Sequence, residues 1–237
     1  MSGAQRIVCL TEDTTETLYR MGEQHRIVGI SAFTVRPPEA RREKPIVSQY
    51  VRADVEKIAA LHPDLVLGFS DIQADICAEL IRKGIEVHCF NQRTVAQVYT
   101  MIRTLGRLID RPEKAERLVR DLQNHLQRIE EEAADLPVRP RVFFEEWPDP
   151  IITGIAWVSE LIEIAGGEDC FRELRSCGLA KDRIVTPEAV LARKPDLYLA
   201  SWCGRPFREE TARARRGFAE APFTRPGRMR AIDSSLI

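Results

Sequence analysis

Aromatic residues follow apolar, strand-like runs at several places in this sequence, and their chemistry suits the binding of a large, flat, partly apolar molecule. Each such side chain buries much surface while few of its torsion angles become fixed. Ligands of open parallel sheets bind beyond the carboxyl ends of the strands, so residues that follow a strand are the first candidates. We predict ligand contacts from Phe33, Tyr50, Phe69, Trp147 and Trp202. Each of them alone would also suit a hydrophobic core.

Cys203 is a further ligand-binding candidate, because a thiol after a strand could coordinate a metal ion or act as a nucleophile. A nucleophilic cysteine needs a base or a lowered pKa, and no histidine lies near Cys203 in the sequence. Glu145 and Glu146 are adjacent in a predicted strand, where alternation sends them to opposite faces and not into an acid/base pair. Because no HExxH, GxSxG or phosphate-loop pattern and no Cys/His zinc spacing occurs, we predict neither catalytic residues nor a metal site.

An internal repeat indicates the elements that position these residues. Residues 55–67 (VEKIAALHPDLVL) and 187–199 (PEAVLARKPDLYL) align without a gap at an offset of 132 residues. Each copy is typical of a short capped helix, with Asp54 or Thr186 as the cap, followed by a strand that is buried on both faces. Solenoid repeats recur every ~20–50 residues, so this longer period predicts two similar parallel-sheet lobes with a cleft between them.

A long amphipathic segment separates the two copies. Between residues 111 and 136 apolar residues recur at helical spacing, and prolines follow at 137 and 140. A helix of this length spans on the order of 35 Å and would connect the lobes stiffly. We therefore predict an α/β fold with an N-terminal lobe at 1–110, a connecting helix at 111–137 and a C-terminal lobe at 138–237.

The composition is that of an ordinary soluble domain. The chain has 237 residues, a formal net charge of −1 and 44% hydrophobic residues. This charge gives no reason to expect nucleic acid as a partner, and no stretch reaches the ~18 apolar residues that a membrane span needs. We expect a monomer that is not inserted into a membrane. Cys170 and Cys177 could pair if the protein is oxidised.

Six stretches together carry a resemblance to a known family. In chain order they are RIVCLTEDTTETLYRMGEQHRIVGIS (6–31), PPEA (37–40), VEKIAALHPDLVLG (55–68), RVFFEEWPDPIITG (141–154), WVSELIEIAGGEDCF (157–171) and TPEAVLARKPDLYLAS (186–201). With these the chain resembles the cobalamin- and ferric-siderophore-binding proteins of ABC importers, and its cobalamin-binding branch most. The resemblance implies a class III periplasmic-binding-protein-like architecture, in which two α/β lobes are joined by one long helix.

The same resemblance implies the function. A protein of this kind is no enzyme and has no covalently bound cofactor: it binds a cobalamin-like corrinoid as transported ligand between its lobes and delivers it to an ABC-transporter permease. Phe33, Tyr50 and Phe69 fall where the cobalamin-binding branch has aromatic ligand contacts, and Cys203 could reach the cobalt. A ferric siderophore, haem or a metal ion stays an alternative ligand. A cytoplasmic corrinoid-handling enzyme or factor on the same fold is the alternative of another class.

Glu56 and Glu188 occupy matching positions near the start of the two repeated helices. In the resembled family, glutamates at these positions meet arginines of the permease, so both are predicted docking residues. The simpler interpretation is a favourable contact with the helix dipole, worth ~0.3–1 kcal/mol each.

The two ends of the chain differ from the resembled family. No basic segment followed by an apolar segment precedes the first strand, so no signal peptide is visible. The resemblance implies a periplasmic location, whereas the cytoplasm is expected if Met1 is the native start. Relatives continue beyond DSSLI into a closing helix, so the C-terminal lobe is expected to be truncated.

Overall fold

The structure, a computed structural model, describes residues 3–237 and divides into two compact units. Unit 1 comprises the chain up to Gln92 together with Ala96–Leu122, and unit 2 comprises Arg93–Val95 together with Gln123–Ile237. The first two residues of the lobe predicted at 1–110 lie outside the described residues. We retain 1–110, 111–137 and 138–237 as proposed boundaries.

Unit 1 contains a five-stranded, all-parallel sheet in the order β3-β2-β1-β4-β5. Its strands are β1 Ile7–Cys9, β2 Ile27–Ser31, β3 Ile46–Ser48, β4 Leu65–Phe69 and β5 Val87–Phe90. The helices of this part of the chain are α1 Glu12–Arg20, α2 Ala40–Glu43, α3 Val55–Ala60, α4 Ala74–Arg82, α5 Val95–Leu108 and α6 Pro112–Ala134. The strand order reverses between β1 and β4, and in open α/β sheets ligands bind beyond the carboxyl ends of the strands at such a point.

Unit 2 is built on β6, a long strand that pairs with three others in parallel or antiparallel fashion. The strands are β6 Arg141–Pro148, β7 Ile151–Thr153, β8 Glu168–Asp169, β9 Leu197–Ala200 and β10 Met229–Ala231, and the helices are α7 Ala156–Ile164, α8 Pro187–Ala192 and α9 Glu209–Arg213. The path is β10-β9-β6-β7, and β8 also pairs with β6. All pairings are parallel except that of β6 with β7, where the turn at 149–150 folds the chain into a hairpin.

The predicted α/β fold with two parallel sheets is confirmed, and the chain passes from unit 1 into unit 2 within the long helix α6. The antiparallel strand β7 was not predicted. Its sequence, IIT, is short and apolar, and nothing in such a run distinguishes antiparallel from parallel pairing. None of the helices in the described residues is long and apolar enough to cross a membrane.

Both faces of each sheet are buried, as the apolar strand sequences indicate. In β1, Ile7 and Cys9 belong to one core cluster whereas Val8 belongs to another, because alternate side chains point to opposite faces. In unit 2, Phe143 packs in one cluster and Phe144 in the other. The strands are therefore held rigidly from both sides, and their carboxyl ends can present side chains in fixed positions.

The repeated helices α3 and α8 are both six residues long and both are capped as predicted. The Asp54 side chain accepts a hydrogen bond from the Lys57 amide at 2.9 Å, and the Thr186 hydroxyl accepts one from the Ala189 amide at 3.2 Å. Each cap satisfies an amide that has no partner within the first turn of its helix. The strands β4 and β9 follow directly, so the repeat is one helix–strand unit used twice.

Candidate functional site

The structure brings Phe33 and Tyr50 together at the carboxyl ends of β2 and β3. Their ring centroids lie 6.5 Å apart with an interplanar angle of 89°, an edge-to-face pair. Phe33 is 42% exposed, Tyr50 is half-buried, and Phe69 is the half-buried last residue of β4. We call Phe33, Tyr50 and Phe69 the unit 1 rim. Aromatic side chains thus lie at the carboxyl ends of β2, β3 and β4, and β4 borders the point where the strand order reverses.

Gln73, which the sequence did not single out, fixes the backbone of this rim. Its side chain is fully buried; Nε2 donates to the carbonyl oxygen of Tyr50 at 2.8 Å and Oε1 accepts from the amide of Phe69 at 2.9 Å. Tyr50 has a φ of 60°, in the left-handed region that non-glycine residues seldom adopt. The amide of Gln73 therefore ties two of the predicted ligand residues to one rigid point.

A second polar group lies at the ends of β1 and β5. The Asp13 carboxylate accepts hydrogen bonds from the Thr14 amide at 2.8 Å, from Gln92 Nε2 at 2.5 Å and from the Thr11 hydroxyl. Burial raises the pKa of Asp13, although these three hydrogen bonds oppose it. Gln92 Oε1 is buried and has no hydrogen-bond partner among the described residues. This oxygen is an unpartnered acceptor with almost no accessible surface in this structure.

The aromatic residues of unit 2 differ in their exposure. Trp147, near the end of β6, is half-buried, and the guanidinium carbon of Arg205 lies 4.7 Å from its ring centroid. Cys203 is exposed two residues earlier than Arg205 in the loop after β9. We call Trp147, Trp202, Cys203 and Arg205 the unit 2 rim. A cation over an aromatic face gives this rim both a flat surface and a positive charge.

Trp202 is the rim residue least available to a ligand in this structure. It is 5% exposed, its ring contacts Phe207 at a centroid distance of 5.1 Å, and its indole Nε1 donates to Glu145 Oε1 at 2.7 Å. Direct contact between Trp202 and a ligand requires the side chains packed around the indole to move. The predicted role of Trp202 stays a prediction.

Glu145 organises the core beneath this rim. Its carboxylate is fully buried and accepts hydrogen bonds from the Tyr198 hydroxyl, the Trp202 indole and the Arg215 guanidinium. Burial, and then the charge of Glu145, raise the pKa of Tyr198. Glu146 points to the other face, as the strand alternation predicts, and pairs with Arg183 at 2.8 Å. The two glutamates therefore belong to two separate ion pairs.

Glu56 and Glu188 are each the second residue of a six-residue helix, and both are exposed. The Glu56 carboxylate accepts from Lys83 Nζ at 2.6 Å, but 81% of its side chain remains exposed, so the pair contributes little stability. The two positions correspond residue for residue in the two units. Their exposure leaves both carboxylates accessible to a partner.

Other candidates lie away from the rims. A cavity of about 320 Å³ is lined by Asp64, Glu86 and His88 among others, at the amino ends of the unit 1 strands. The structure shows Cys170 and Cys177 as thiols, with Cys170 buried, and no disulfide joins them. Within residues 3–237 no cluster of three metal-binding side chains occurs.

Comparison with known proteins shows the class. Residues 7–236 match the family described as periplasmic binding protein, and the chain belongs to this family. Its members are substrate-binding proteins, so the enzyme alternative is not supported and the resemblance seen in the sequence is confirmed.

Among the similar proteins is the vitamin B12-binding protein of Vibrio campbellii, 29% identical over 201 residues, 84% of this chain and 71% of the relative. That of Yersinia pestis (strain Pestoides F) is 26% identical over 202 residues, 84% of this chain and 70% of the relative.

Solved structures of several binding proteins share the fold. A periplasmic heme-binding protein from Roseiflexus sp. RS-1 matches with a TM-score of 0.82 and 23% identity, covering 98% of this chain and 90% of that one. The periplasmic vitamin B12 binding protein of Vibrio cholerae matches with a TM-score of 0.76 and 24% identity, covering 100% and 91%. These matches confirm the predicted two-lobed architecture.

Proposed function

We propose that this protein binds a cobalamin-like corrinoid non-covalently and delivers it to the permease of an ABC importer. The proposal rests on the partly exposed aromatic pair of the unit 1 rim, Phe33 and Tyr50, in a chain of which 84% aligns with proteins named vitamin B12-binding. The corrinoid is a transported ligand and not a cofactor.

The unit 1 rim supplies apolar contact. A corrin ring is large and flat, and edge-to-face aromatic side chains bury such a surface without reorganising, because Gln73 already fixes the backbone at Tyr50 and Phe69. The periphery of a corrinoid carries carboxamide groups, whose N–H bonds can donate to the unpartnered Oε1 of Gln92 once the side chains that bury this oxygen move. A buried acceptor without a partner favours a ligand that brings a donor.

The unit 2 rim supplies a flat face and a charge. The indole of Trp147 offers one side to a ring system, and the guanidinium of Arg205 is available to an anionic group such as the phosphodiester of a cobalamin. Cys203 is an exposed thiol on the same loop and is a candidate axial ligand to the metal. A corrinoid offers both an anionic group for Arg205 and a metal for Cys203.

Haem is the second candidate ligand, and the same two residues favour it. Its propionates are carboxylates that Arg205 can bind, and a thiol such as Cys203 is a known type of haem iron ligand. Several proteins of similar fold are described as heme-binding. Ferric siderophores remain a third candidate because the fold is shared with a possible iron-binding protein from Staphylococcus epidermidis, with a TM-score of 0.82.

Absorption spectroscopy distinguishes these ligands. The purified protein is incubated separately with cyanocobalamin, hemin and a ferric siderophore, desalted, and its visible spectrum is recorded. We expect the corrinoid bands to elute with the protein at about one ligand per chain. Retention of hemin or siderophore without retention of cobalamin contradicts the corrinoid proposal and leaves a binding protein for the retained ligand.

We further propose that Glu56 and Glu188 dock on the permease, that the protein acts as a monomer, and that it acts outside the cytoplasm. Two exposed carboxylates at matching positions of two units suit a partner with two basic sites. The proposed location follows from the family. Fractionation of source cells tests it, and recovery of the protein in the cytoplasmic fraction contradicts it.

A further inference from the structure

Two cysteines of unit 1 lie on the same side of a glycine in the neighbouring strand. Cys77 lies on α4 and Cys89 on β5, where Cys89 is the register partner of Gly68 in β4. A Cβ on Gly68 would lie 3.0 Å from Cys77 Sγ and 3.8 Å from Cys89 Sγ. Both sulfur atoms therefore occupy the face of the sheet that α4 covers, and the glycine leaves no side chain between them.

Both sulfur atoms lie within 4 Å of the same point above Gly68, and the surroundings of the two thiols differ. Cys89 is exposed, and its Sγ lies 3.5 Å from the carbonyl oxygen of Ser70, which accepts its hydrogen bond. Cys77 is 6% exposed, and burial, followed by the neighbouring thiol, raises its pKa to about 11. An oxidant from solution consequently reacts with Cys89 first. Cys77 is the neighbouring, resolving thiol.

We propose that Cys77 and Cys89 are a redox-active pair that closes to a disulfide in the presence of a small disulfide such as glutathione disulfide. The Cys89 thiolate attacks one sulfur of the glutathione disulfide, which forms a mixed disulfide and releases one glutathione thiolate. The Cys77 thiolate then attacks the Cys89 sulfur and releases the second glutathione. Two protein thiols are oxidised, one glutathione disulfide is reduced, and the two thiol protons pass to the two glutathione thiolates.

The position of the pair connects it to the unit 1 rim. The same Cβ on Gly68 would lie 3.3 Å from Gln73 Oε1, the atom that accepts a hydrogen bond from the Phe69 amide. Gln73 immediately precedes α4, the helix that carries Cys77. A bond between the sulfurs fixes α4 to β5 at the point from which Gln73 holds the rim. The disulfide chemistry itself does not depend on which ligand the protein binds.

Mass spectrometry of the full chain tests the pair. The reduced, desalted protein is incubated with glutathione disulfide, alkylated, digested without reductant and mapped. We expect a cross-linked peptide that contains both Cys77 and Cys89, with loss of alkylation at both. Cys177→Ser is the matched control, and it should keep the cross-link. A parent protein in which Cys89 carries glutathione while Cys77 remains alkylatable, or in which neither is oxidised, overturns the proposal.

Single variants separate the two roles. Cys77→Ser removes the resolving thiol, so the glutathione adduct should accumulate on Cys89; Cys77→Ala repeats the test with a side chain suited to a buried position. Cys89→Ser should leave Cys77 fully alkylatable after denaturation. Far-UV circular dichroism checks that each variant is folded. Equal glutathionylation of Cys77 in Cys89→Ser and of Cys89 in Cys77→Ser contradicts the proposed order of attack.

Discussion

At the scale of single residues, the buried side-chain amide of Gln73 fixes the backbone at several positions of the candidate site. Gln73 holds the Tyr50 carbonyl and the Phe69 amide, and its Nε2 also lies 3.3 Å from the Leu10 carbonyl at the end of β1. Three separate segments thus converge on one side chain. Removing it leaves buried backbone groups without partners, and each such group costs about 1–3 kcal/mol.

We therefore expect Gln73→Ala to lower the free energy of unfolding by about 2–4 kcal/mol, the sum of a few such groups. It should also weaken ligand binding, because the backbone at Tyr50 and Phe69 loses its support. Urea denaturation and ligand titration measure the two effects. Gln127→Ala, at an exposed position of α6, is the control and should change neither. Equal behaviour of the two variants contradicts the role of Gln73.

The half-buried ring of Tyr50 yields a prediction about binding alone. Tyr50→Ala should weaken corrinoid binding by about 1–3 kcal/mol, a usual loss for an aromatic anchor at an interface. The change removes the edge-to-face partner of Phe33 as well. Calorimetry measures the affinity. Tyr19→Ala is the comparison, since the Tyr19 hydroxyl bonds to Glu43 near the amino ends of the strands; equal losses in both variants would argue against the unit 1 rim.

At the scale of elements, the sequence predicted what local chemistry determines. The caps Asp54 and Thr186 follow from residue types immediately before an apolar helix, and both are observed. The network around Glu145 could not be predicted, because its partner Arg215 is 70 residues away and only the tertiary fold joins them. The role of Gln73 could not be predicted for the same reason, because its contacts lie in three different segments of the chain.

Removal of either cap tests the repeated helix–strand unit. Asp54→Ala and Thr186→Ala should each lower the free energy of unfolding by about 0.5–2 kcal/mol, because an amide in the first turn loses its acceptor. Urea denaturation measures the change. Thr100→Ala, at an exposed position inside α5, should be close to neutral. A cost for Thr100→Ala as large as that of the cap variants contradicts the capping argument.

A buried ion cluster joins the end of α1 to the start of α6. Glu23 is 2% exposed and accepts from Arg26 at 2.5 Å and from Lys114 at 2.6 Å. Burial favours the neutral acid, but the two cations outweigh it and lower the pKa of Glu23. A carboxylate whose pKa is lower in the folded state stabilises the fold above its unfolded pKa, and this contribution is lost as the pH falls through the folded pKa.

Glu23→Gln tests this linkage. At pH 7 the variant should be less stable by about 3–5 kcal/mol, since the buried guanidinium of Arg26 loses its counter-charge. Because only the parent titrates at this position, the difference should shrink as the pH is lowered below about 4.3, the unfolded pKa of a glutamate. Urea denaturation at a series of pH values measures it. A difference that is constant from pH 7 to pH 3 contradicts the assignment.

At the scale of the whole molecule, the two units repeat a helix whose second residue is an exposed glutamate. The fold and the class were predictable because the repeat, the long helix and the family stretches extend over most of the chain. The ligand was not, since its identity depends on which side chains contact it. Trp202 illustrates the difficulty: it follows a strand, yet it is only 5% exposed. Position along the chain predicted which aromatic residues follow strands but not which of them are accessible.

The proposed docking role needs both units and is tested by charge reversal in both. Glu56→Lys combined with Glu188→Lys should abolish association with the permease, because lysines repel the basic residues that a carboxylate attracts. Corrinoid binding should hardly change, as neither residue belongs to a rim. Single variants should lose part of the association if each unit docks separately. Pull-down from membranes of the source organism identifies the permease, and uptake of labelled ligand measures the effect.

Glu86→Lys combined with Glu220→Lys is the control. Both residues are exposed, one in each unit, so this variant changes the net charge equally and should keep uptake. If the Glu56/Glu188 variant supports uptake as well as the parent does, the two carboxylates only stabilise the helices that carry them and have no docking role.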